Sequence, residues 1–341
     1  MVLNLKVEKM KKTIVCLLIV ALSMSLVFAN GSNEASGEKV VIKIGNTVTQ
    51  DHAWNVAIDK MAQLAKEYSN GRIEIQCYPN NTLGNESDMI ESLRNGTLHM
   101  QVADPSAGSS FCKQFDLFVL PFLWRDKDHW TKVLDGPIGK EYSELIEKEC
   151  GIKILGYWGG VSRNIISTKK QIKSIDDLQG FKLRLVQSEL KFKVWNAVGA
   201  LPVAISLSET YSAMQSGVCD GMENEMPSLL TGKFYEPAKN MTMTEHEITV
   251  RPLMINAAFY NSLDDECRDA LDKAVAEATI LARELEAKAA EEAKKTMVET
   301  YGVQVFEIDK QPLIDRTAKV FEEFGKETGL AEVIEAIKNT K

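Results

Sequence analysis

From Asp264 to Thr300 the chain runs for 37 residues without glycine or proline, and the run is rich in Ala, Glu, Lys and Leu. With both helix breakers missing and strong helix formers dominant, it predicts one uninterrupted helix. At 1.5 Å per residue that helix spans about 55 Å, longer than one domain. The 341 residues are enough for about two domains. A helix of this length is therefore expected to lie across both as a brace. A coiled coil is the alternative, but Leu271, Val275, Ala278 and Leu285 are too sparse for heptads.

Ahead of the brace the pattern is α/β. Val40 to Gly45 reads as a buried strand, and Trp54, Ile58, Met61, Leu64 and Tyr68 follow at helical spacing. Arg72–Cys77 is a second strand, Met89, Ile90 and Leu93 mark a short helix, and Leu98–Ala103 is a third strand. This β-α-β-α-β alternation implies a parallel sheet covered by helices. Val133–Cys150 reads as a helix and Ile152–Trp158 as a strand. A second α/β unit starts near Ser162, with strands at Asn164–Ser167, Phe181–Val186 and Cys219–Met222 and a helix around Leu190–Val198. Ser206-Leu207-Ser208-Glu209 matches a capping box. The chain returns to the first unit at Arg251–Phe259.

The N-terminus reads as an export signal. Lys11 and Lys12 precede an apolar run from Ile14 to Phe28, and Val27-Phe28-Ala29 supplies small residues for cleavage after Ala29. The run is about 15 residues, short of the ~20 of a spanning helix; a retained anchor is the alternative. Met10 is a more usual start than Met1, and Cys16 is not placed for lipidation. Removing residues 1–29 leaves 36 basic and 47 acidic residues, a net charge of −11. Such a surface argues against nucleic acid or anionic lipid as partner, so an anionic ligand needs a local cationic site. Cys77, Cys112, Cys150, Cys219 and Cys267 are widely spaced, odd in number and lack a CxxC pair. They indicate neither a zinc site nor a disulfide framework; at most two disulfides can form, with free thiols expected for most.

No GxGxxG, Walker loop, HExxH, GxSxG or EF-hand loop occurs, and the four histidines are not at ligand spacing. Neither a cofactor nor a metal is expected. What remains is a set of polar residues at strand ends, where open α/β sheets bind ligands. Glu86 and Asp104 stand there in the first unit, and Arg163, Arg184 and Asn224 flank strands of the second. Arg184 is the most unusual, a guanidinium inside Phe181-Lys182-Leu183-Arg184-Leu185-Val186. Its planar fork matches a carboxylate; an internal ion pair is the plain alternative. Asp51-His52 opens the first helix, and Glu86, Asp104 and Gln187 can serve several hydroxyls. Against that, Glu86 can merely cap its helix and Asp104 can pair with an arginine.

Several stretches resemble the solute-binding proteins of TRAP transporters, the DctP family. They include Asn81-Thr82-Leu83-Gly84-Asn85-Glu86, Leu120-Pro121-Phe122-Leu123-Trp124-Arg125-Asp126 and Ser174-Ile175-Asp176-Asp177-Leu178-Gln179-Gly180-Phe181-Lys182-Leu183-Arg184. The run Gln215-Ser216-Gly217-Val218-Cys219-Asp220-Gly221-Met222-Glu223-Asn224 continues the match. The resemblance implies an α/β, two-lobed periplasmic binding protein with a mixed or parallel sheet in each lobe, hinge strands and a long helix bridging both lobes. It implies residues 1–29 as signal peptide, 30–38 as a flexible leader, 39–160 with 250–289 as lobe I, and 161–249 with 290–341 as lobe II, meeting near Gly160 and Val250. It further implies a non-catalytic, exported monomer that closes around a small organic acid and hands it to membrane permease subunits. By the same resemblance Arg184 pairs with the ligand carboxylate, Arg163 is a second ligand arginine and Asn224 a ligand amide. Met222 stands where the family usually has Gln, and Glu225 is an extra acid before Met226-Pro227. A sugar acid, a uronate or aldonate, is the expected solute, with a C4 dicarboxylate as the alternative. An exported enzyme using Glu86, Asp104 and His52, or a binding protein that presents ligand to a sensor, are the readings from other classes.

Overall fold

A computed structural model describes residues 37–341; the expected signal peptide, its cleavage site and most of the leader lie outside the described residues. In chain order the elements are β1 (Val40–Gly45), α1 (Ala53–Tyr68), β2 (Ile73–Tyr78), α2 (Glu86–Asn95), β3 (Met100–Val102), α3 (Lys127–Leu134), α4 (Pro137–Cys150) and β4 (Ile152–Ser167). There follow β5 (Lys182–Leu185), α5 (Glu189–Ala197), β6 (Leu201–Ala204), α6 (Leu207–Ser216), β7 (Gly221–Glu225), α7 (Met226–Thr231), β8 (Asn240–Met243) and β9 (Ile248–Asn256). The chain ends with α8 (Ala257–Ser262), α9 (Asp265–Glu299), β10 (Gln304–Glu307), α10 (Gln311–Thr328) and α11 (Ala331–Asn339).

The strands form a mixed sheet in the order β2-β1-β3-β9-β4-β7-β5-β6, with β8 on β4 and β10 on β8. β1 runs parallel to β2 and β3, as the alternation requires. β9 is antiparallel to both β3 and β4, so the chain does return to the first unit there. β4 joins the two halves. Its residues from Ile152 to Ser162 pair with β9, while Arg163 to Ser167 pair with β7. The two separate strands expected at 152–158 and 164–167 are thus one strand, carried through Gly159 and Gly160 by a bulge that shifts the register between Gly159 and Ser162. Glycine is needed at 159: φ is 102° and a Cβ would lie 2.4 Å from the Thr249 carbonyl oxygen.

The 35-residue α9 matches the expected brace, and Asp264 caps it by accepting from the Cys267 amide at 2.9 Å. Cys267, Ala270, Leu271, Ala274, Val275, Ala278 and Ala282 pack into the core under β1, β3 and α1. Near the other end, Ala293 and Met297 pack with Met222, Met226, Leu229 and Met241. Small residues on this face let the helix approach both cores closely.

Three expectations change. The helix expected over 133–150 is two helices, because Gly136 caps α4 and Pro137 takes its first turn, where proline's missing N–H costs nothing. The strand expected at 219–222 sits later, as β7. Ser206 precedes α6 but caps no backbone amide; its hydroxyl donates to Glu209 Oε2 at 2.6 Å instead. Cys112 and Cys150 form a disulfide, and Cys77, Cys219 and Cys267 are free. No described helix is long and apolar enough to cross a membrane. The C-terminal α11 reaches back to residues 125–129: His129 Nε2 bonds the Ile337 carbonyl at 2.8 Å, and Arg125 Nη1 donates to the Lys338 carbonyl at 3.0 Å.

Candidate functional site

Where β4, β5, β7 and β9 meet the loops after β1 and β3, eight charged side chains are buried together. They are Asp104, Arg163, Arg184, Lys191, Glu223, Glu225, Glu247 and Arg251, with Glu86 half-buried at their edge. The sheet register creates this cluster. Arg163 lies directly opposite Glu225 in the β4–β7 ladder, and Arg184 opposite Met222 in β5–β7. Carrying so many charges out of water is costly unless they pair, so the pairing pattern tells which charges are already spent.

Arg163 is spent. Its Nε and Nη2 donate to the Glu223 carboxylate at 2.5 and 2.9 Å, a bidentate fork. Nη2 also donates to the Glu223 carbonyl at 3.1 Å, and Nη1 donates to Glu225 at 3.1 Å and Asp104 at 3.5 Å. Arg251 donates to Glu225 at 2.9 Å and lies 3.0 Å from Asp104. Lys191, on α5, lies 3.3 Å from Asp104 and 3.2 Å from Glu247. Burial alone would raise the Asp104 carboxyl, but Lys191, Arg251 and Arg163 together hold it well below the usual range. Burial likewise opposes ionisation of Glu225, and Arg251 and Arg163 outweigh it.

Arg184 differs. Its Nε donates to the Ile205 carbonyl at 2.8 Å, and among the described residues no carboxylate lies within ion-pair distance of it. Only 4% of the residue is exposed. Burial pulls its pKa down to about 10, with the Glu223 and Glu86 charges opposing. An unmatched, desolvated guanidinium is what a ligand carboxylate would satisfy.

The site expectations divide accordingly. Arg163, Arg184, Asn224, Glu86 and Asp104 line a small cavity of about 30 Å³, together with Thr47, Trp54, Glu225, Ser228 and Arg251. Arg184, Glu86 and Thr47 also line a cavity of about 320 Å³ that extends past Asn81, Gln187 and Ser206, a size usual for small-molecule sites. Glu86 does not cap its helix: Asn85 does, in a capping box with Asp88. The Glu86 Oε1 instead accepts from the Thr47 hydroxyl at 3.3 Å and the Asp104 amide at 3.2 Å. Burial and then the Asp104 charge raise its pKa. Gln187 is exposed at the rim.

Two expectations need correcting. Asp104 is not a free acceptor for hydroxyls, since it is engaged by three cations and accepts from the Ser106 amide at 3.0 Å. His52 does not line either cavity; it caps α1, its Nδ1 accepting from the Trp54 amide at 3.3 Å. Burial lowers its pKa to about 4, so it is neutral.

Sequence reasoning missed Lys191, Glu223 and Glu247. A signal existed for Lys191, which shares the apolar stripe of Val194, Trp195 and Val198 at helical spacing. For the glutamates there was none, because their partner Arg163 comes from another part of the chain.

The arrangement sets one guanidinium without a carboxylate partner among side chains already tied into ion pairs, which suits it to holding an anion. The family described as bacterial extracellular solute-binding protein, family 7 (DctP), matches residues 44–328. The C4-dicarboxylate-binding periplasmic protein DctP of Rhodobacter capsulatus is 30% identical over 322 residues, covering 93% of this chain and 94% of that protein. A TRAP periplasmic solute-binding protein from Roseobacter denitrificans, solved with bound β-D-glucuronate, aligns with a TM-score of 0.85 at 28% identity, over 89% of this chain and 100% of that one. Another from Bradyrhizobium sp., solved with α/β-D-galacturonate, gives a TM-score of 0.84 at 30% identity, over 88% and 100%. The match runs through both halves of the sheet and the whole brace helix, and the chain belongs to bacterial extracellular solute-binding protein family 7, the DctP family of TRAP transporter solute-binding proteins.

Proposed function

We propose that this protein captures a sugar acid, a uronate or aldonate, outside the cytoplasm and delivers it to the permease subunits of a TRAP transporter. The observation that carries this reading is Arg184, a buried guanidinium with no carboxylate partner, facing a cavity lined by hydrogen-bonding groups. The ligand carboxylate sits on Arg184 through charge-assisted bonds in a low-dielectric cleft. Glu86, Thr47, Asn81 and Gln187 serve hydroxyls from the opposite wall, with Asn224 beside the carboxylate. The related proteins solved with glucuronate and galacturonate support the choice of a uronate. No bond is broken, and no cofactor enters.

Lobe I takes residues 39–160 and 250–289, lobe II takes 161–249 and 290–341, and they hinge at the Gly159-Gly160 bulge, where Val250 pairs with Gly159. Closure lets both lobes grip one solute, so ligand shifts an open–closed equilibrium by its differential affinity. The mature protein begins after Ala29 and acts as a monomer. A C4 dicarboxylate, named for the Rhodobacter relative, is the second reading; it needs a second free cation, and Arg163 and Arg251 are both paired.

Thermal-shift screening of the mature protein tests the proposal. At about 100 times Kd a ligand adds roughly 2.7 kcal/mol of stability, a rise of several degrees. Glucuronate, galacturonate or gluconate is expected to give it. Stabilisation by succinate or malate with no response to these sugar acids would overturn the choice.

A further inference from the structure

Glu225, at the end of β7, sits at the centre of the site. Its Oε2 accepts from Arg163 at 3.1 Å and from Arg251 at 2.9 Å, and its Oε1 accepts from the Ser228 hydroxyl at 2.9 Å. It is 3% exposed, and all four residues line the small cavity with Arg184. The position is fixed by the ladder, since Glu225 lies directly opposite Arg163 across β4 and β7. Every N–H of Arg163 is then directed at protein oxygen, and the charge of Arg251 is shared between Glu225 and Asp104. Glu225 thereby joins Glu223 in neutralising Arg163 and shares Arg251 with Asp104.

We propose that Glu225 is a specificity-determining residue that limits the cleft to ligands with a single carboxylate. The inference rests on the reading that a sugar acid docks its carboxylate on Arg184. A second carboxylate on the same ligand reaches the Arg163–Arg251 end and meets the fixed negative charge of Glu225, beside arginines whose charge Glu223, Glu225 and Asp104 already offset. Like charges brought together in a desolvated site oppose binding directly, in addition to the loss of any attractive contact. A hydroxyl or aldehydic carbon at that end meets no such penalty.

The test compares ligands with one and with two carboxylates. Galacturonate and galactarate share the C2–C5 stereocentres, and galactarate carries a second carboxylate in place of the carbonyl carbon that closes the galacturonate ring. Calorimetric Kd values are measured for both, and for malate, with wild type, Glu225→Gln and Glu225→Asp. The Gln amide is isosteric, its oxygen able to accept from Arg163 and Arg251 while its NH2 donates to the Ser228 hydroxyl, whereas Asp keeps the charge. Wild type and E225D are expected to favour galacturonate by at least about tenfold, and E225Q to lose about tenfold or more of that preference. Equal binding of galactarate and galacturonate by wild type, an unchanged ratio in E225Q, an E225Q chain that does not fold, or no binding of any of the three by wild type and E225Q overturns the proposal. If galacturonate binds wild type but the ratio does not move, the specificity role falls and the sugar-acid reading stands. If no sugar acid binds wild type, yet malate binds E225Q and not wild type, the reading falls and the role of Glu225 stands.

Discussion

The Glu286 carboxylate, midway along the brace helix, accepts the Gly159 amide at 2.6 Å, fastening the brace to the strand bulge where the two halves of the sheet join. Its other oxygen accepts the Trp54 indole N–H at 2.5 Å, and Trp54 forms part of the wall of the small cavity. One buried side chain thus links the helix, the strand bulge and the cavity wall.

This linkage is pH-sensitive. Burial, with the Glu225 charge adding and Arg251 opposing, raises the Glu286 carboxyl from 4.5 to about 7. Because the folded value lies above the unfolded one, its stabilising contribution is complete below about pH 4.5 and is lost as pH rises to about 7. The loss amounts to roughly 3 kcal/mol. Asp104, Glu223 and Glu225 are shifted the other way, and their contributions are lost only as pH falls below the ordinary carboxylate range. Melting temperature is therefore expected to decline from about pH 5 to 8 in wild type, and Glu286→Gln to flatten that decline. Parallel slopes would refute the assignment.

Arg163 is expected to behave as a structural ion-pair centre. Arg163→Ala leaves the buried Glu223 with the His246 ring at 3.2 Å as its remaining side-chain partner and should lower unfolding free energy by about 3–5 kcal/mol. Denaturant unfolding without ligand reads this directly. A variant as stable as wild type, impaired only in binding, would return Arg163 to the role of free ligand arginine.

The Cys112–Cys150 disulfide closes a segment of 38 residues. The chain-entropy account gives such a crosslink about 4 kcal/mol, and an exported protein keeps it oxidised. Reductant, or the paired Cys112→Ser and Cys150→Ser change, is expected to lower the melting temperature by several degrees. An unchanged melt would show that the crosslink adds nothing.

Local signals made much of this legible. The brace could be read because no glycine or proline interrupts it and Asp264 marks its start. Arg184 could be read because a lone arginine in an apolar strand needs a partner, and none of the described carboxylates supplies one. What could not be read depends on distant pairing. Gly159-Gly160 looks like a strand end, yet hydrogen bonds to β9 and then β7 carry the strand through. The consumption of Arg163 follows from Glu223 and Glu225, about 60 residues away. Nothing in the spacing of Cys112 and Cys150 distinguished them from the other thiols. Lys191 hid because a lysine in an apolar stripe is ordinarily read as a chance polar residue.

Arg184 carries the central claim. Calorimetric titration of glucuronate and galacturonate into wild type, Arg184→Ala and Arg184→Lys tests it most directly. Breaking a buried charge pair costs on the order of 2–5 kcal/mol, so Arg184→Ala is expected to bind about 30- to several-thousand-fold more weakly. Arg184→Lys should also bind poorly, since an ammonium cannot reproduce the two-pronged contact. With no carboxylate partner to strand, the unliganded Arg184→Ala protein should melt close to wild type. Near-normal affinity in Arg184→Ala would contradict the account.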